Sequence, residues 1–429
     1  MQTKSFLKNL FKAYYQENSK KIPVVSQFPQ REFAFLPWEK QMMRRHLQFT
    51  EVDKFKEYLI KNAPMHSYCS GATYSKPDNL QMQDKGYLGC DLLFDIDVDH
   101  FYTPCKDKHD IWQCKECGES GKGMIEKCPK CGKFKITRLS WICEDCLNVA
   151  KSEIIKLIND FLVPDFAIDK DKVHIAFSGH RGYHLKIEDP KLRNLNSDER
   201  RNIVDYITGE NLSFELLGLT EKSSGIIFGL LKENIGWSRK IMQKFEELLN
   251  QDDKYLEFFL GDPNKANLNQ NLVKSFLNYK NEFLSNITSK EHKRAIWAIE
   301  GFSINKWKLL LKAIVNEVGV EIDEPVSIDI HRLIRYPGSL HGKTGFKVQE
   351  LNYEELINFN PLNELNPEFD PIVFESKKKM TQKIQITEDL VPKTNIKGES
   401  YGEYTLGEQV EVPNHIAVFL LSKGVAKII

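Results

Sequence analysis

Residues 91–99 read DLLFDIDVD, and this stretch decides the fold class that the sequence predicts. Leu92 to Phe94 form a short apolar run that is typical of a buried strand. Asp95 and Asp97 then alternate with apolar residues, so both carboxylates leave the same face of one strand. Buried carboxylates need a counter-charge, and Mg²⁺ or Mn²⁺ is the cation that suits such oxygen ligands. We therefore expect a sheet that carries a metal-binding acidic pair.

The composition limits the kinds of partner and of cell compartment. The 429 residues include 60 basic and 60 acidic side chains, so the formal net charge is zero and a protein that is basic overall is excluded. Hydrophobic residues make up 41% of the chain, which is typical of a folded soluble protein of two or three domains. No stretch reaches the roughly 18 apolar residues of a membrane helix, and the N-terminus lacks a secretory signal. We expect a reducing, cytoplasmic compartment.

A second acidic pattern precedes a basic loop. The alternation in residues 326–331 (VSIDIH) predicts a strand, and Asp329 on it would complete a three-carboxylate cluster able to hold two Mg²⁺ or Mn²⁺ ions. Residues 331–345 (HRLIRYPGSLHGKTG) then gather cationic and hydroxyl groups around three glycines, as a polyphosphate-binding loop requires. Its candidate ligands are Arg332, Arg335, Ser339, His341 and Lys343. The alternative is a solvated basic loop.

A predicted hairpin supplies another group of anion-binding side chains. Strands are predicted over 173–177 and 183–187, joined by the glycine turn of SGHRG. The turn and the second strand carry Ser178, His180, Arg181 and His184. A Ser-His nucleophile pair is a less favoured interpretation, because no nucleophile elbow surrounds Ser178.

Most of the nine cysteines have the spacing of metal ligands. In a reducing compartment, paired C-x-x-C motifs indicate zinc rather than disulfides. Cys114, Cys117, Cys128 and Cys131 predict a zinc ribbon with four thiolate ligands. Cys143 and Cys146 need two more ligands, for which Cys105 and His109 are the nearest candidates, as a second or an alternative zinc site. Cys69 and Cys90 are expected to be buried thiols.

Periodicity predicts the remaining organisation. Helices are expected over 6–15, 38–49 and 147–162, and a strand over 31–35. We expect an α+β fold with a mixed sheet, built from a catalytic core, insertions and a tail. The core would comprise residues 1–102, 147–190 and 321–365, with a zinc-binding insertion at 103–146, a helical subdomain at 191–320, and a linker with a C-terminal extension at 366–429.

Six motifs, taken in order, resemble those of the small catalytic subunit of archaeal and eukaryotic DNA primase, over about residues 1–365. They are REFAF at 31–35, SGATY at 70–74, FDIDVD at 94–99, the C-x-x-C before a helix at 143–146, SGHRGYH at 178–184, and DIHRLIRYPGSLHGKTG at 329–345. The resemblance implies a prim-type core with a zinc element near the active site. It also implies a heterodimer with a large iron–sulfur subunit.

The resemblance also implies roles for single residues. Asp95, Asp97 and Asp329 match the metal-binding aspartates of the family, and Arg31 matches an arginine near the nucleotide. The positions that grip the incoming triphosphate are Ser178, Arg181, His184, Arg335, His341 and Lys343. The set that matches the zinc knuckle of the family is Cys105, His109, Cys143 and Cys146, whereas the ribbon resembles an insertion found in part of the family.

The predicted function is therefore template-directed synthesis of short primers on single-stranded DNA from nucleoside triphosphates. A repair-type primase-polymerase that works without a large subunit is an alternative within the same superfamily. A non-catalytic zinc-ribbon protein that binds nucleic acid is an alternative from another class, but it leaves the three aspartates unexplained. A metal-dependent nuclease would use the same acids to degrade the template.

Overall fold

The structure is a computed structural model that describes residues 2–39, 42–231, 234–288, 297, 299, 301–375 and 380–429. Its contacts divide the chain into two units. Unit 1 comprises Met1–Arg201 and Glu321–Ile429, and unit 2 comprises Asn202–Val320. Within the described ranges, each helix is too short or too polar to cross a lipid bilayer.

The described helices and strands alternate irregularly along the chain. The helices are α1 Gln2–Asn18, α2 Val52–Asn62, α3 Lys106–His109, α4 Glu144–Lys156, α5 Ser197–Thr208, α6 Trp237–Leu249, α7 Asp253–Gly261, α8 Gln270–Thr288, α9 Ile304–Val318, α10 Glu324–Ile328, α11 Tyr353–Asn358 and α12 Asn414–Lys423. The strands are β1 Arg31–Leu36, β2 Arg44–Leu47, β3 His66–Tyr74, β4 Tyr87–Cys90, β5 Leu92–Asp97, β6 Ile111–Cys114, β7 Ser120–Lys122, β8 Ile136–Leu139, β9 Val173–Phe177, β10 Gly182–Ile187, β11 Thr220–Glu221, β12 Ile227–Phe228, β13 Leu333–Arg335, β14 Gln349–Leu351, β15 Thr381–Ile386, β16 Thr394–Ile396, β17 Glu399–Tyr401, β18 Gln409–Pro413 and β19 Ala426–Ile428.

Two sheets form the centre of unit 1. The first has the strand order β13-β3-β1-β2, with β4 also paired to β3, and the second has the order β14-β9-β10-β5. The α+β class is confirmed, but the prediction of a mixed sheet is wrong, because every strand pair in the described residues is antiparallel. The helix α1 buries Leu7, Phe11, Tyr14 and Tyr15, which share one face at helical spacing.

The predicted hairpin is confirmed as β9 and β10. β10 lies between β9 and β5 in the second sheet, so the hairpin turn reaches the same end of the sheet as the acidic end of β5. Gly182 allows this pairing, because a Cβ atom there would lie 2.3 Å from the Ile96 carbonyl oxygen. The turn itself contains Gly179 at φ +81°, a left-handed conformation that favours glycine.

The described residues of the segment 38–49, which leave out 40 and 41, do not form the predicted helix. β2 occupies Arg44–Leu47 and pairs with β1. The buried carboxylate of Glu32 on β1 accepts hydrogen bonds from Arg45 Nε at 3.0 Å and from the His46 amide at 3.1 Å. These bonds to a buried acid hold the segment at the sheet edge, where apolar periodicity alone predicted a helix.

The cysteine-rich region and unit 2 each have a core of their own. β7, β6 and β8 form a three-stranded sheet that carries the ribbon cysteines. The predicted helix over 147–162 is confirmed as α4, which continues into a π-helical turn at Leu157–Leu162. In unit 2, helices α6 to α9 surround buried aromatic side chains, of which Trp297 and Trp307 lie 4.5 Å apart between ring centroids.

The C-terminal region is folded, so the prediction of a linker over its described part is wrong. β15 pairs with both β18 and β19, and α12 packs against β15 and α1. Phe419 of α12 lies 5.3 Å from Trp141 and 5.7 Å from Phe346, between ring centroids. Because α12 buries nearly all of its apolar residues, it is a core element of unit 1. The three lysines at 377–379, which belong to the predicted linker, lie outside the described residues.

Candidate active site

The carboxylates of Asp95 and Asp97 lie at the end of β5, as the alternation predicted. β10 runs antiparallel to β5 and places His184 opposite Asp95. His184 Nε2 lies 3.5 Å from Asp95 Oδ1. Asp97 Oδ1 accepts a hydrogen bond of 2.9 Å from the Asp99 amide. The strand that carries the acidic pair is confirmed, and its neighbour adds a histidine.

The surroundings of Asp95 are suited to a bound cation. The pKa of Asp95 is raised to about 8, chiefly by burial and then by the negative charges of Asp97 and Asp323. Burial lowers the pKa of His184 to about 3, and nearby arginine charges act in the same direction, so its imidazole is neutral and does not balance the carboxylate. Asp95 Oδ1 has no hydrogen-bond partner among the described residues. Ionised carboxylates in such a place are stabilised by a divalent cation with oxygen ligands.

In buffer without divalent cations, Asp95→Asn is expected to stabilise the protein increasingly as the pH rises from 5 to 8. Folded wild type holds the Asp95 proton up to about pH 8, whereas the unfolded chain releases it near pH 4. The folded state therefore binds more protons across this range, and the free energy of unfolding of the wild type falls as the pH rises. One pKa unit corresponds to about 1.4 kcal/mol, so urea unfolding should reveal a gain of at least about 1 kcal/mol at pH 8.

The exposed Asp171 offers a control for this measurement. Asp171→Asn changes the formal charge by the same amount without removing a buried carboxylate. Its effect on stability should stay within about 0.5 kcal/mol at both pH values. The same pH dependence in the two variants would contradict the high pKa of Asp95.

A third carboxylate, that of Asp323, lies beside the pair, and the sequence reasoning missed it. The Asp323 amide donates a hydrogen bond of 2.8 Å to the Asp95 carbonyl oxygen. Asp323 Oδ2 lies 3.9 Å from Arg332 Nη2 and 3.8 Å from His100 Nε2. Its charge also contributes to the raised pKa of Asp95. Asp95, Asp97 and Asp323 therefore form the candidate three-carboxylate centre.

The structure does not bring Asp329 into this centre. The predicted strand over 326–331 is wrong, because α10 ends at Ile328 and Asp329 is its C-cap. Pro325 lies in the first turn of α10, where its fixed φ favours the start of a helix. Asp329 is exposed, and its Oδ1 accepts a hydrogen bond of 2.8 Å from the His331 amide. Within the described part of the chain, the groups of possible metal-ligand atoms that lie within 4.8 Å of one another place Asp97 with Asp99 and His180, and they include none of Asp95, Asp323 and Asp329.

Two arginines supply positive charge beside the acidic centre. Arg332 and Arg335 both lower the pKa of His184 and of Asp95, after the larger effects of burial and, for Asp95, of its acidic neighbours. Arg335 Nη1 lies 2.7 Å from His66 Nδ1. An anionic ligand that reached the acidic centre with its metal ions would meet these guanidinium groups.

His341 lies in a row of three histidines. Its ring centroid is 4.8 Å from that of His66 and 5.2 Å from that of His180. The amides of Gly342 and Lys343 donate hydrogen bonds to His66 Nδ1 and His341 Nδ1, at 3.2 and 3.3 Å. Because a backbone amide only donates, both Nδ1 atoms accept, and each neutral ring carries its proton on Nε2. The Lys343 side chain is exposed.

Two other arginines predicted to lie at the nucleotide are buried in ion pairs. Arg31 Nη2 lies 2.6 Å from Asp91 Oδ2, and Arg181 pairs with Asp99 and Asp110. Each arginine side chain is only 1% exposed. In the structure, both guanidinium groups therefore bind carboxylates and are not exposed at the protein surface.

Lys423 is a further residue that the sequence reasoning missed. It comes from α12, and its Nζ lies 2.7 Å from His180 Nε2 and donates a hydrogen bond of 2.8 Å to the Ser140 carbonyl oxygen. Burial, followed by the charge of Arg181, lowers the pKa of Lys423 to about 7. Ser178 Oγ accepts a hydrogen bond of 3.3 Å from the His180 amide. The C-terminal extension thus reaches the predicted hairpin turn.

Both predicted sets of zinc ligands converge. In each set, all four ligand atoms lie within 4.8 Å of one another. In the ribbon, the Sγ atoms of Cys114 and Cys131 lie 3.6 Å apart and those of Cys117 and Cys128 lie 3.7 Å apart. Tetrahedral zinc with thiolate bonds of about 2.3 Å requires roughly 3.8 Å between sulfur atoms. The ribbon therefore fits zinc.

The other set fits zinc as well. His109 Nε2 lies 3.2 Å from Cys143 Sγ and 3.5 Å from Cys146 Sγ, and Cys105 Sγ lies 3.2 Å from Cys146 Sγ. His109 Nδ1 lies 2.9 Å from Asp110 Oδ1, a contact that turns Nε2 toward the thiols. The two sets are separate, so the structure favours two zinc sites over two alternative ligand sets for one ion.

Purified protein is accordingly expected to contain two zinc ions per chain. Cys143→Ser and Cys131→Ser should each remove one ion, because each site has four protein ligands and loses one of them. The half-buried cysteines are matched in exposure. Elemental analysis by mass spectrometry measures the content, and a single zinc ion in the wild type would show that one set is unused.

The sequence is similar to proteins of one family along its whole length. The sequence model of the family described as DNA primase small subunit matches residues 139–353. The DNA primase small subunit PriS of Cenarchaeum symbiosum is 30% identical, over 97% of this chain and 96% of that protein. The proteins of the same name from Archaeoglobus fulgidus and Methanosarcina acetivorans are 31% and 29% identical, over 99% of this chain and 98% and 96% of theirs.

Proposed function

This chain belongs to the family of DNA primase small subunits, and from this membership we propose that it makes primers on single-stranded DNA by two-metal-ion nucleotidyl transfer. As a member of the family it is the catalytic subunit of a DNA primase. The observation that carries the proposed mechanism is the grouping of Asp95, Asp97 and Asp323 beside Arg332 and Arg335.

The three carboxylates of this centre would hold the catalytic Mg²⁺ or Mn²⁺ ions. When bound, the ions would lower the pKa of the primer 3′-hydroxyl and neutralise charge on the departing pyrophosphate. The unpaired Oδ1 atom of Asp95 and the raised pKa of its carboxyl group support this role. His184 is neutral and opposite Asp95, so it would orient that carboxylate without competing as a cation.

The basic side chains would bind the triphosphate of the incoming nucleotide. In the reaction, the 3′-oxygen bonds to the α-phosphorus while the bond from that phosphorus to the bridging oxygen breaks and pyrophosphate leaves. The charged guanidinium groups of Arg332 and Arg335 act on Asp95, and the exposed Lys343 follows in the same basic loop. They would stabilise the negative charge that grows on the leaving group, an effect of several kcal/mol in a preorganised site.

The finer organisation of the protein belongs to the same proposal. The core would be of the prim type, assembled from residues 1–102, 147–190 and 321–365, with residues 103–146 as the zinc-binding insertion and 191–320 as the helical subdomain. We further propose that the subunit acts as a heterodimer with a large iron–sulfur subunit. Its ligands would be single-stranded DNA and nucleoside triphosphates.

Incorporation of labelled nucleotides on single-stranded DNA with Mn²⁺ tests the proposed function. Primer-length products are expected, and their yield should rise when the large subunit is added. Full activity without that subunit would favour a repair-type enzyme. A shortened template without labelled product would identify a nuclease, and binding without any product would identify a non-catalytic nucleic-acid-binding protein.

A further inference from the structure

A chain of hydrogen bonds through the charged side chains of Asp99, Arg181 and Asp110 connects Asp97 with the metal-ligand set that contains His109, and Arg181 and Asp110 in it are buried. Arg181 is its centre. Arg181 Nε donates a hydrogen bond of 2.7 Å to Asp99 Oδ1, and Nη1 donates bonds of 2.8 and 2.9 Å to the two oxygens of Asp110. Burial alone would lower the pKa of Arg181, but the charges of Asp99 and Asp110 raise it above its ordinary value, so the guanidinium stays charged.

One end of this chain orients a zinc ligand. Asp110 Oδ1 lies 2.9 Å from His109 Nδ1. Arg181 Nη1 donates to both oxygens of the same carboxylate, so Asp110 is held between the guanidinium and the histidine. An imidazole that donates its Nδ1 proton to this carboxylate presents the lone pair of Nε2 toward Cys143 and Cys146, as a zinc ligand requires.

The other end orients a catalytic carboxylate. The Asp99 amide donates to Asp97 Oδ1 at 2.9 Å, so the position of Asp97 depends on the turn that follows β5. Arg181 contacts that turn at two points. Its guanidinium binds the Asp99 carboxylate, and its carbonyl oxygen accepts a hydrogen bond of 3.3 Å from the Val98 amide.

We infer that Asp99, Arg181 and Asp110 are positioning residues that transmit the geometry of the zinc site at Cys105, His109, Cys143 and Cys146 to the catalytic carboxylate Asp97. This inference rests on the proposed function, because it gives Asp97 a divalent cation to bind. Its physical basis is the rigidity of charge-assisted hydrogen bonds, buried between Arg181 and Asp110 and partly buried at Asp99, which leave few other arrangements for the groups that they join. Among the described residues, the ribbon cysteines make none of these side-chain hydrogen bonds, and the ribbon segment meets Asp110 only through the Gly123 amide, which donates to the Asp110 carbonyl oxygen at 2.8 Å.

Arg181→Lys is the most direct test, because it keeps the charge and removes the planar group that binds Asp99 and Asp110 together. Binding of Mn²⁺ alone, measured by electron paramagnetic resonance of the free ion, is expected to weaken about tenfold to a hundredfold. Zinc content should stay at two ions per chain. Arg200→Lys is the matched control, because Arg200 is also buried and donates to the carbonyl oxygens of Cys90 and Asp91 instead.

A pair of cysteine variants tests the link to zinc. Cys143→Ser should release one zinc ion and weaken Mn²⁺ binding to about the same extent as Arg181→Lys. Cys131→Ser should release the ribbon zinc and leave Mn²⁺ affinity within about twofold of the wild type. If Cys143→Ser does not fold, Asp110→Asn replaces it, since it keeps the size of the side chain and removes the charge that Arg181 and His109 share.

The outcomes separate this inference from the proposed function. Wild-type Mn²⁺ affinity in Arg181→Lys, or equal weakening in Arg181→Lys and Arg200→Lys, would overturn the positioning role while primer synthesis by the wild type stands. Weakened Mn²⁺ binding in Arg181→Lys and Cys143→Ser, but not in their controls, supports the positioning role. If the wild type binds Mn²⁺ and makes no primers, the proposed function fails, and the Mn²⁺ measurements still decide the positioning role.

Discussion

Asp97→Asn protein is expected to incorporate labelled nucleotides at least about a thousandfold more slowly than the wild type, which corresponds to about 4 kcal/mol of lost transition-state stabilisation. Asparagine keeps the oxygen that accepts the Asp99 amide, so the local backbone is preserved. The variant loses only the charge that would hold a catalytic cation. Asp97→Ala and Asp95→Ala should be equally inactive.

Stability measurements show whether Asp97→Asn loses activity because its charge is gone or because the protein unfolds. Burial and the charge of Asp99 raise the pKa of Asp97, so its ionised form is costly in the protein without metal. The melting temperature of Asp97→Asn without divalent cations should therefore match or exceed that of the wild type. The exposed Asp171→Asn should keep full activity. Full activity in Asp97→Ala would refute the metal-binding role.

Asp323→Asn is expected to reduce nucleotide incorporation at least about a hundredfold, whereas Asp329→Asn should change it less than about threefold. Asp323 lies against Asp95 through its amide and contributes to the raised pKa of that residue. Asp329 is exposed and caps the end of α10. Removing a ligand from a two-metal centre should raise the activation free energy about as much as removing one preorganised transition-state contact. That increase is about 2.7–4 kcal/mol.

The two variants form a matched pair, because each changes one aspartate of the same segment to its amide. Measuring kcat and KM for the nucleotide separates their effects. Asp323→Asn should lower kcat, since the lost interaction strengthens in the transition state. The reverse result, with an inactive Asp329→Asn and an active Asp323→Asn, would restore Asp329 as the third carboxylate.

Local sequence patterns correctly predicted the strands and helices whose burial follows one regular pattern along their length. β5, β9 and β10 are buried strands within one sheet, and α1 and α4 present one apolar face to the core. In these elements the period of the side chains and the burial of the chain agree. Spacing alone also predicted the ribbon set and the Cys143–Cys146 pair, because such ligand pairs are short local knuckles, whereas Cys105 and His109 were added as the nearest candidates and through the family resemblance.

The mispredicted segments have long-range partners that override the local pattern. Residues 38–49 have helical periodicity, but Arg44–Leu47 within them pairs with β1, where the buried Glu32 holds this strand. Residues 326–331 alternate like a strand, yet Asp323 and Pro325 begin a short helix there. An aspartate at the N-cap and a proline in the first turn are recognised helix-start signals, and they could have identified α10.

By itself, the sequence determined the chemistry of the protein: which strands are buried, that two aspartates leave one strand, and that eight residues can bind zinc. The tertiary structure alone decided which distant groups meet. It placed Asp323 rather than Asp329 beside Asp95, enclosed Arg31 and Arg181 in ion pairs, and brought Lys423 to the hairpin. The physical reason is that periodicity encodes the burial of a side chain, whereas the partner of a buried charge depends on how the sheets and helices pack.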